Sequence, residues 1–512
     1  MASEIRVNKL NSQTGVGTIT LSPTGVDISG ITTAETLKAT TGIVTTLTAT
    51  TGIVTTLTAN TTKITTGIVT TLTATTGIVT TLTTNTLTAN STAKVGSGVT
   101  LSPDGDVFVT GVTTSSTVKV GGGVTISESG IEASGIGITV ANINGSKIGG
   151  RRNIIINGDM TVAQRGTSST TIGYQTLDRY YLDFTGTDEA PTQEQADVSS
   201  GDDGPYQEGF RKCYKITNGN QTGGAGSSDG IFLNYSIEAQ DIVNSGWNYT
   251  SSSSFVTLSF WVNSSVAQNF YGRLYSYDGT AQGYAFETGS LTAGQWKKVI
   301  VTIPGNSNLT FDNNNGAGLL IELIAFRGTG FTASMTLNQW AAYNSNARVP
   351  DMTSTWYTTN DATLELTGIQ LEVGSQATAF EHRSFGEELA LCRRYFYRIG
   401  DGTKTYQLVG NGYIGENGGT KCGKISIHPS TSMRTTPTIS VIGTDSFRCT
   451  AGSVTMTCTA TANTGGIWNS ASTGDIMWMD FGRSGSGDPT VGYGCVVYAD
   501  NNSANLALSA EL

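Results

Sequence analysis

The chain has 512 residues, 65 glycines, 9 prolines and only 13% charged side chains, with a formal net charge of −10. That length exceeds what a single hydrophobic core serves, and an excess of Thr, Ser and Gly favours strands and turns, so an all-β chain of several units is expected. An acidic chain without basic clusters is a poor partner for nucleic acid, no stretch reaches the ~18 apolar residues of a membrane span, and MASEIRVNKL lacks the apolar core of a signal peptide, so synthesis and folding in cytosol are expected.

Residues 1–150 hold seven acidic and seven basic side chains, so the whole charge excess lies in 151–512. Three segments, GVGTITLSPTGVDISGIT at 15–32, GSGVTLSPDGDVFVTGVT at 96–113 and GGGVTISESGIEASGIGIT at 121–139, alternate apolar and polar residues about a turn, and each is expected to be a hairpin. Between the first two lies a second repeat. TTGIVTTLTA occupies 40–49, 50–59 and 65–74, TTGIVTTLTT occupies 75–84, and the half-unit NTTKI preserves a five-residue phase from Val44 to Ala89. Five fits neither the 3.6 residues of a helical turn nor the 3.5 of a coiled coil, and β-branched Thr, Val and Ile oppose helix, so extended chain is expected. One such strip buries too little to offset the roughly 1–2 kcal/mol per residue of backbone ordering, and it needs neighbours. Three identical chains wound together would supply them, the alternative being a disordered Thr-rich linker. With Phe108 the sole aromatic residue before Arg151, association into a homotrimer is expected, with a stalk over 34–94 and small hairpin modules over 95–150.

Every Trp and Tyr follows Arg151. Asn157-Gly158 after three isoleucines suggests a hairpin turn, FVTLSFWV (255–262) and WKKVIVTI (296–303) alternate as sheet strands do, and LELTGIQLEV (364–373) closes the block. A jelly-roll-like β-sandwich over 151–383 is expected. Ser384 has the character of an N-cap, with Glu387 and Glu388 in the first turn and Arg393, Arg394 and Arg398 towards the end of a helix over 384–399, the one helix expected. Residues 400–512 return to short strands, expected to form a separate C-terminal β tip domain. The six cysteines show no CxxC spacing and are expected to be reduced, although Cys449 and Cys458 could meet across a hairpin.

Catalytic motifs are matched by letters alone. GSSDG at 226–230 fits the nucleophile elbow around Ser228 and GNGYIG at 410–415 fits a dinucleotide-binding loop, but neither has a following helix, without which the chemistry fails. His382 and His428 cannot build a metal site from one chain, so neither metal nor cofactor is expected. Paired acids for glycan cleavage, Asp202 with Asp203 or Asp183 with Asp188, are better placed as solvated loop residues, and the chain is not expected to be an enzyme. Sugar binding needs aromatic faces for C–H surfaces and polar groups for hydroxyls. In RLYSYDG alternation puts Arg273, Tyr275 and Tyr277 on one face, and Trp247 and Tyr249 fall in a loop. With Trp468 and Tyr493 near the C-terminus, these are the candidate glycan-binding residues.

NIIINGDM, AQRGTS, YQTLDRYY, TGIQLEVGSQATAFEHRSFGEELALCRRYFYRI and the closing LALSAEL resemble tail-fibre and receptor-binding proteins of tailed bacteriophages, especially those of marine and cyanobacterial hosts. MASEIRVNKL with GTITLSPTGVDISGIT resembles the N-terminal segments of virion structural proteins in the same phages. The resemblance covers 1–33 and 151–399 and, loosely, the tip. It implies a homotrimeric virion fibre made in the host cytoplasm, docked on tail or other virion proteins through residues 1–33, where Ile5, Val7, Leu10, Ile19 and Leu21 are the attachment candidates. Distal β domains would meet a host-surface glycan or lipopolysaccharide. A glycan-depolymerising tailspike, or a neck or capsid fibre without a receptor role, is the alternative.

Overall fold

The computed structural model describes residues 152–400, 405–460 and 474–512 in full and, before them, the backbone of eight strands between Lys9 and Ala133. The chain divides into two compact units, 1–119 with 125–131 and 120–124 with 132–512. Among the described residues strands dominate, as an all-β chain requires.

β1 (Lys9–Asn11), β2 (Gly17–Ser22) and β3 (Gly25–Gly30) form an antiparallel sheet in which Leu10, Ile19 and Ile28 share one cross-strand row, and Leu21 pairs with Val26. The hairpin expected at 15–32 is present. Ile5, Val7 and the hairpin expected at 96–113 lie outside the described residues.

The Thr-rich repeat forms β4 (Gly52–Ile64) and β5 (Gly67–Val79), paired in parallel with Gly52 beside Gly67 and Ile64 beside Val79. A straight strand of that length would end about 43 Å from its start. Ile64 and Gly67 are three Cα steps apart, at most ~11 Å. Each strand must therefore wind round and return one strand-spacing along after fifteen residues, which is three of the five-residue units. The pairing omits Thr55 with Thr70 and Asn60 with Thr75, breaks five residues apart that keep the phase of the repeat. Val54 pairs with Val69, Ala59 with Ala74 and Ile64 with Val79, so the apolar positions of the five-residue phase share register between the two strands. The neighbour this strip needs is the same chain one coil on, where three separate chains were expected to supply it. β6 (Thr117–Val120), β7 (Val124–Ser127) and β8 (Gly130–Ala133) make a further three-stranded sheet, so the hairpin expected at 121–139 is present over β7 and β8, and 134–139 lie outside the described residues.

Residues 152–383 form a sandwich of two six-stranded sheets. The back sheet runs β17 (Lys297–Pro304), β14 (Phe255–Ser264), β20 (Thr363–Val373), β12 (Lys212–Thr217), β11 (Thr192–Asp197), β9 (Ser168–Ser169). The front sheet runs β10 (Tyr181–Thr185), β13 (Gly230–Glu238), β18 (Ala317–Arg327), β15 (Tyr271–Ser276), β16 (Gln282–Glu287), β19 (Trp340–Ala342). Alternation decides what fills the space between them: Val256, Leu258, Phe260 and Val262 of β14 and Ile231, Leu233, Tyr235 and Ile237 of β13 all point inward and are buried. Each such side chain contributes about 1.5–3 kcal/mol on leaving water. Asn157-Gly158 is not a hairpin turn. Asn157, at φ +60°, spends its amide on Val162 O, Asp178 O and Val162 N, so the isoleucine segment is held irregular and buried against β20 by side-chain hydrogen bonds.

Three helices occur among the described residues: α1 (Ala239–Val243), α2 (Thr355–Thr358) and α3 (Phe385–Arg393). The Ser384–Glu387 capping box starts α3 as the sequence indicates, but the helix ends at Arg393 and not near Ile399. Residues 396–399 form β21 (Phe396–Ile399), drawn into a sheet with β29 (Asn505–Ser509) and β24 (Thr438–Ile442) by the C-terminal strand. The short α1 and α2 were not expected.

The remaining strands close into a barrel in the order β22 (Leu408–Asn417), β23 (Thr420–Ile427), β27 (Met477–Arg483), β26 (Val454–Thr459), β25 (Phe447–Ala451), β28 (Gly494–Ala499). GNGYIG lies inside β22, and the β22–β23 hairpin turns on Gly418 (φ +56°) and Gly419 (φ +81°), the left-handed pair that a two-residue hairpin demands. The cysteines are free and buried, and the β25–β26 register places Cys449 opposite Met456 and Cys458 opposite Phe447, so no bond crosses that hairpin.

Candidate functional site

The front sheet buries one face in the core and turns the other outward. Along β15, Leu274 and Ser276 are fully buried while Arg273, Tyr275 and Tyr277 take the opposite face. Register continues this outer row as Tyr181, Asn234, Glu322, Arg273 and Ala285 across five strands. At its centre Arg273 donates through Nε and Nη2 to both carboxylate oxygens of Glu322 (3.1 and 2.9 Å), and Arg327 adds a third bond to Oε1 at 3.1 Å. These side chains are 6%, 2% and 2% exposed, so a charge cluster of net +1 is locked into the outer layer of the sheet. Burial alone would raise the Glu322 carboxyl, and the Arg273 and Arg327 guanidiniums more than offset it, holding it below its ordinary range.

A row of tyrosines runs beside this cluster. Tyr275 meets Tyr343 at 4.6 Å and Tyr277 at 4.9 Å, both edge to face, and the Arg273 guanidinium lies 5.4 Å from the Tyr275 ring and 5.3 Å from that of Tyr343. Tyr277 is 43% exposed and Tyr275 and Tyr343 are half-buried. At the β10 side Tyr174 and Tyr181 form a second edge-to-face pair at 5.1 Å. Asn234, in the row between, has a side-chain oxygen with no hydrogen-bond partner in the protein. The other end of this face is covered by the segment after β18: Phe232, Ala285, Ile324 and Val349 pack with Met335 and Leu337. The exposed and half-buried rings of Tyr277, Tyr275 and Tyr343, with their phenol groups, offer C–H surface and hydroxyl partners of the kind a saccharide needs, over a buried charged floor.

Sequence reasoning puts Arg273, Tyr275 and Tyr277 on one face, and the structure has them so, with Tyr277 exposed and Tyr275 half-buried. Arg273 is on that face but is no surface ligand: it is 5% exposed and committed to Glu322. Trp247 is a correction as well. It is 3% exposed, packed against Phe311 and Tyr249 with Nε1 donating to Ser254 O, because its loop folds inward and closes the core. Tyr249 is half-buried with its edge on Phe311 at 5.0 Å. Tyr493 is exposed on the barrel, apart from the front sheet, and Trp468 lies outside the described residues. Tyr343, Tyr174, Tyr181, Asn234, Glu322 and Arg327 were missed. A lone Glu in the apolar run of β18 is a legible signal for a buried counter-charge; Tyr343, in an irregular segment, carries none.

The rejected motifs have structural reasons. Ser228 precedes strand β13, not a helix, and Asp229 beside it accepts from Gly226 N and Tyr357 Oη. Asp202 and Asp203 hold their own loop through Ser199 N and Gln207 Nε2, and Asp188 accepts from Gly223 N. Asp183 is half-buried on the front face with its carboxyl raised by burial, and the nearby Glu322 accepts from Arg273 and Arg327 through both of its oxygens. Among the described residues no group of three or more His, Cys, Asp or Glu is placed to hold a metal, and no helix is long and apolar enough to cross a membrane.

No family model matches the chain, and no curated protein matches it. Among solved structures it is similar to the enzymatically active domain of tailspike protein 4 from bacteriophage CBA120, at 9% identity and TM-score 0.24, covering 43% of this chain and 21% of that one. It is similar also to the N-terminal cellulose-binding domain of β-1,4-glucanase C from Cellulomonas fimi, at 12% identity and TM-score 0.20, over 42% of this chain and 99% of that one. A third is the family 11 carbohydrate-binding module of a cellulosomal cellulase from Clostridium thermocellum, at 11% identity and TM-score 0.20, over 41% and 96%. At these values no function is transferred from them.

Proposed function

We propose that this chain is a non-catalytic, glycan-recognising fibre protein of a tailed phage, which grips saccharide at the open end of the front sheet. The observation that carries the glycan reading is the row Tyr277, Tyr275, Tyr343 beside the buried Arg273–Glu322 pair: rigid rings set at right angles over a fixed polar floor cost little ordering on binding. The fibre, its homotrimeric state and its attachment through Ile5, Val7, Leu10, Ile19 and Leu21 rest on the resemblance of the sequence. The occupied oxygens of Glu322 favour binding over cleavage at this face.

The test is the full chain titrated with surface polysaccharide from host-type cells, alongside Tyr275→Ala with Tyr343→Ala, with reducing ends assayed and sedimentation recorded. Saturable binding lost in the double variant, no release of reducing ends and a mass of three chains support the whole reading. Cleavage of the polysaccharide sinks the non-catalytic part, a monomer sinks the trimer, and binding unchanged in the double variant sinks the site.

A further inference from the structure

The barrel carries a second aromatic feature, apart from the front sheet. Of the large hydrophobic side chains that are exposed among the described residues, Tyr406, Leu408, Tyr413, Ile476, Val491, Tyr493 and Val496 all belong to the barrel region. The β22–β28 register gathers part of this surface: Leu408 lies opposite Tyr498, and Val496 is two residues along on the same outward face. Tyr406, Leu408, Val496 and Tyr498 line an open pocket of about 290 Å³. The Tyr406 and Tyr498 rings meet edge to face at 5.7 Å across it.

The backbone at Tyr406 is the second, independent observation. It sits at φ +58°, the left-handed region that an aromatic residue rarely adopts and that costs roughly 1–3 kcal/mol. Burial of the ring does not repay the strain, since Tyr406 is 60% exposed. The conformation is enforced by two backbone bonds to β28, Tyr406 N–H to Ala499 O at 3.0 Å and Ala499 N–H to Gln407 O at 2.9 Å. A strained residue that holds a large ring out in water, over a pocket, is placed for something outside the chain.

The lining chemistry selects the occupant. No charged side chain lines the pocket, and the neighbouring Arg448 and Asp500 neutralise each other, so the ligand is neutral. Leu408 and Val496, 63% and 42% exposed, offer an aliphatic surface with no use for a hydroxyl-only face. The Tyr498 hydroxyl lies 3.1 Å from Thr450 Oγ1 and Asn411 is an outward neighbour on β22, which gives hydroxyl and amide partners at the rim. The volume is that of a single residue of a chain, not of an extended peptide. We infer that the barrel pocket at Tyr406, Leu408, Val496 and Tyr498 binds a neutral sugar residue bearing an apolar substituent, a deoxy methyl or an acetyl group. This site stands whether or not the front sheet binds glycan.

The test uses the full chain and two matched pairs of sugars, D-fucose against D-galactose and N-acetylglucosamine against glucose, followed by saturation-transfer and titration NMR. The substituted member of at least one pair is expected to bind about five- to tenfold tighter, with transfer strongest at its methyl protons. Tyr406→Gly removes the ring while glycine accepts φ +58° without strain, so the fold survives, and it is expected to weaken that sugar about tenfold or more. Val496→Asp is expected to do the same, and Tyr275→Ala on the front sheet is expected to leave the signal intact, which separates this site from the other. Equal binding within both pairs, binding by neither pair, or binding that survives Tyr406→Gly overturns the inference. So does a fall in sedimentation coefficient in Tyr406→Gly with sugar binding unchanged, which would make the pocket a contact between copies of the chain.

Discussion

Replacing Glu322 by Gln leaves its shape almost unchanged and strands two guanidiniums in the outer layer of the front sheet. Arg273 makes two of its hydrogen bonds to this carboxylate and Arg327 makes one, and all three side chains are at most 6% exposed. Water cannot replace the lost charge at that depth, and removing one member of a buried ionic cluster costs about 3–5 kcal/mol. For a unit of this size each kcal/mol shifts the midpoint by about 2–4 °C, so thermal unfolding followed by near-UV circular dichroism should begin roughly 6–20 °C lower. The sign of the pH effect follows from the lowered carboxyl. A group whose folded pKa lies below its ordinary value of 4.5 stabilises the fold above that value and loses the contribution as pH falls through the folded pKa. Glu322→Gln should therefore narrow its deficit below pH 4.5. Removing the whole cluster with Arg273→Met, Glu322→Leu and Arg327→Met should cost far less than the single change, because no charge is left without a partner. A Glu322→Gln protein within about 1 kcal/mol of the wild type at pH 7 would refute the claim that this cluster is desolvated.

Tyr343→Ala should weaken saccharide binding at the front sheet about tenfold by calorimetric titration, with the unfolding midpoint nearly unchanged, since the ring is half-buried and belongs to an irregular segment. The Asp178 carboxyl is fully buried and pushed up to about 7 by burial, so its contribution to stability is complete below the ordinary 3.8 and is lost as pH rises through 7. Asp178→Asn should flatten that part of a urea-midpoint profile measured from pH 4 to 8, a difference on the order of 4 kcal/mol across the range. Gly419→Ala places a Cβ in open space at φ +81°, so it should cost about 1–2 kcal/mol through backbone strain alone, read from urea unfolding of the full chain. Ser384→Ala breaks the capping box of α3 and should cost about 1 kcal/mol by the same measurement.

What could be read from the sequence alone were the features written into local spacing. Period-two alternation located β14, β17, β20 and β15 and put Tyr275 and Tyr277 on one face, because a strand turns successive side chains to opposite sides wherever it is packed. Ser384 with Glu387 marked the start of α3 since a cap is satisfied within four residues, and the five-residue phase of the Thr-rich repeat survives as the fifteen-residue register and the five-spaced pairing gaps of β4 with β5. What only the tertiary structure decided were the partners brought from far along the chain. The C-terminal strand β29 takes residues 396–399 as a neighbour and stops α3 at Arg393. A loop that folds inward makes Trp247 core, and Glu322, 49 residues from Arg273, turns a surface arginine into a buried one. Tyr343 joins the tyrosine row from a segment with no periodicity at all. Burial and hydrogen-bond satisfaction depend on which distant atoms arrive, and local pattern carries no record of that arrival.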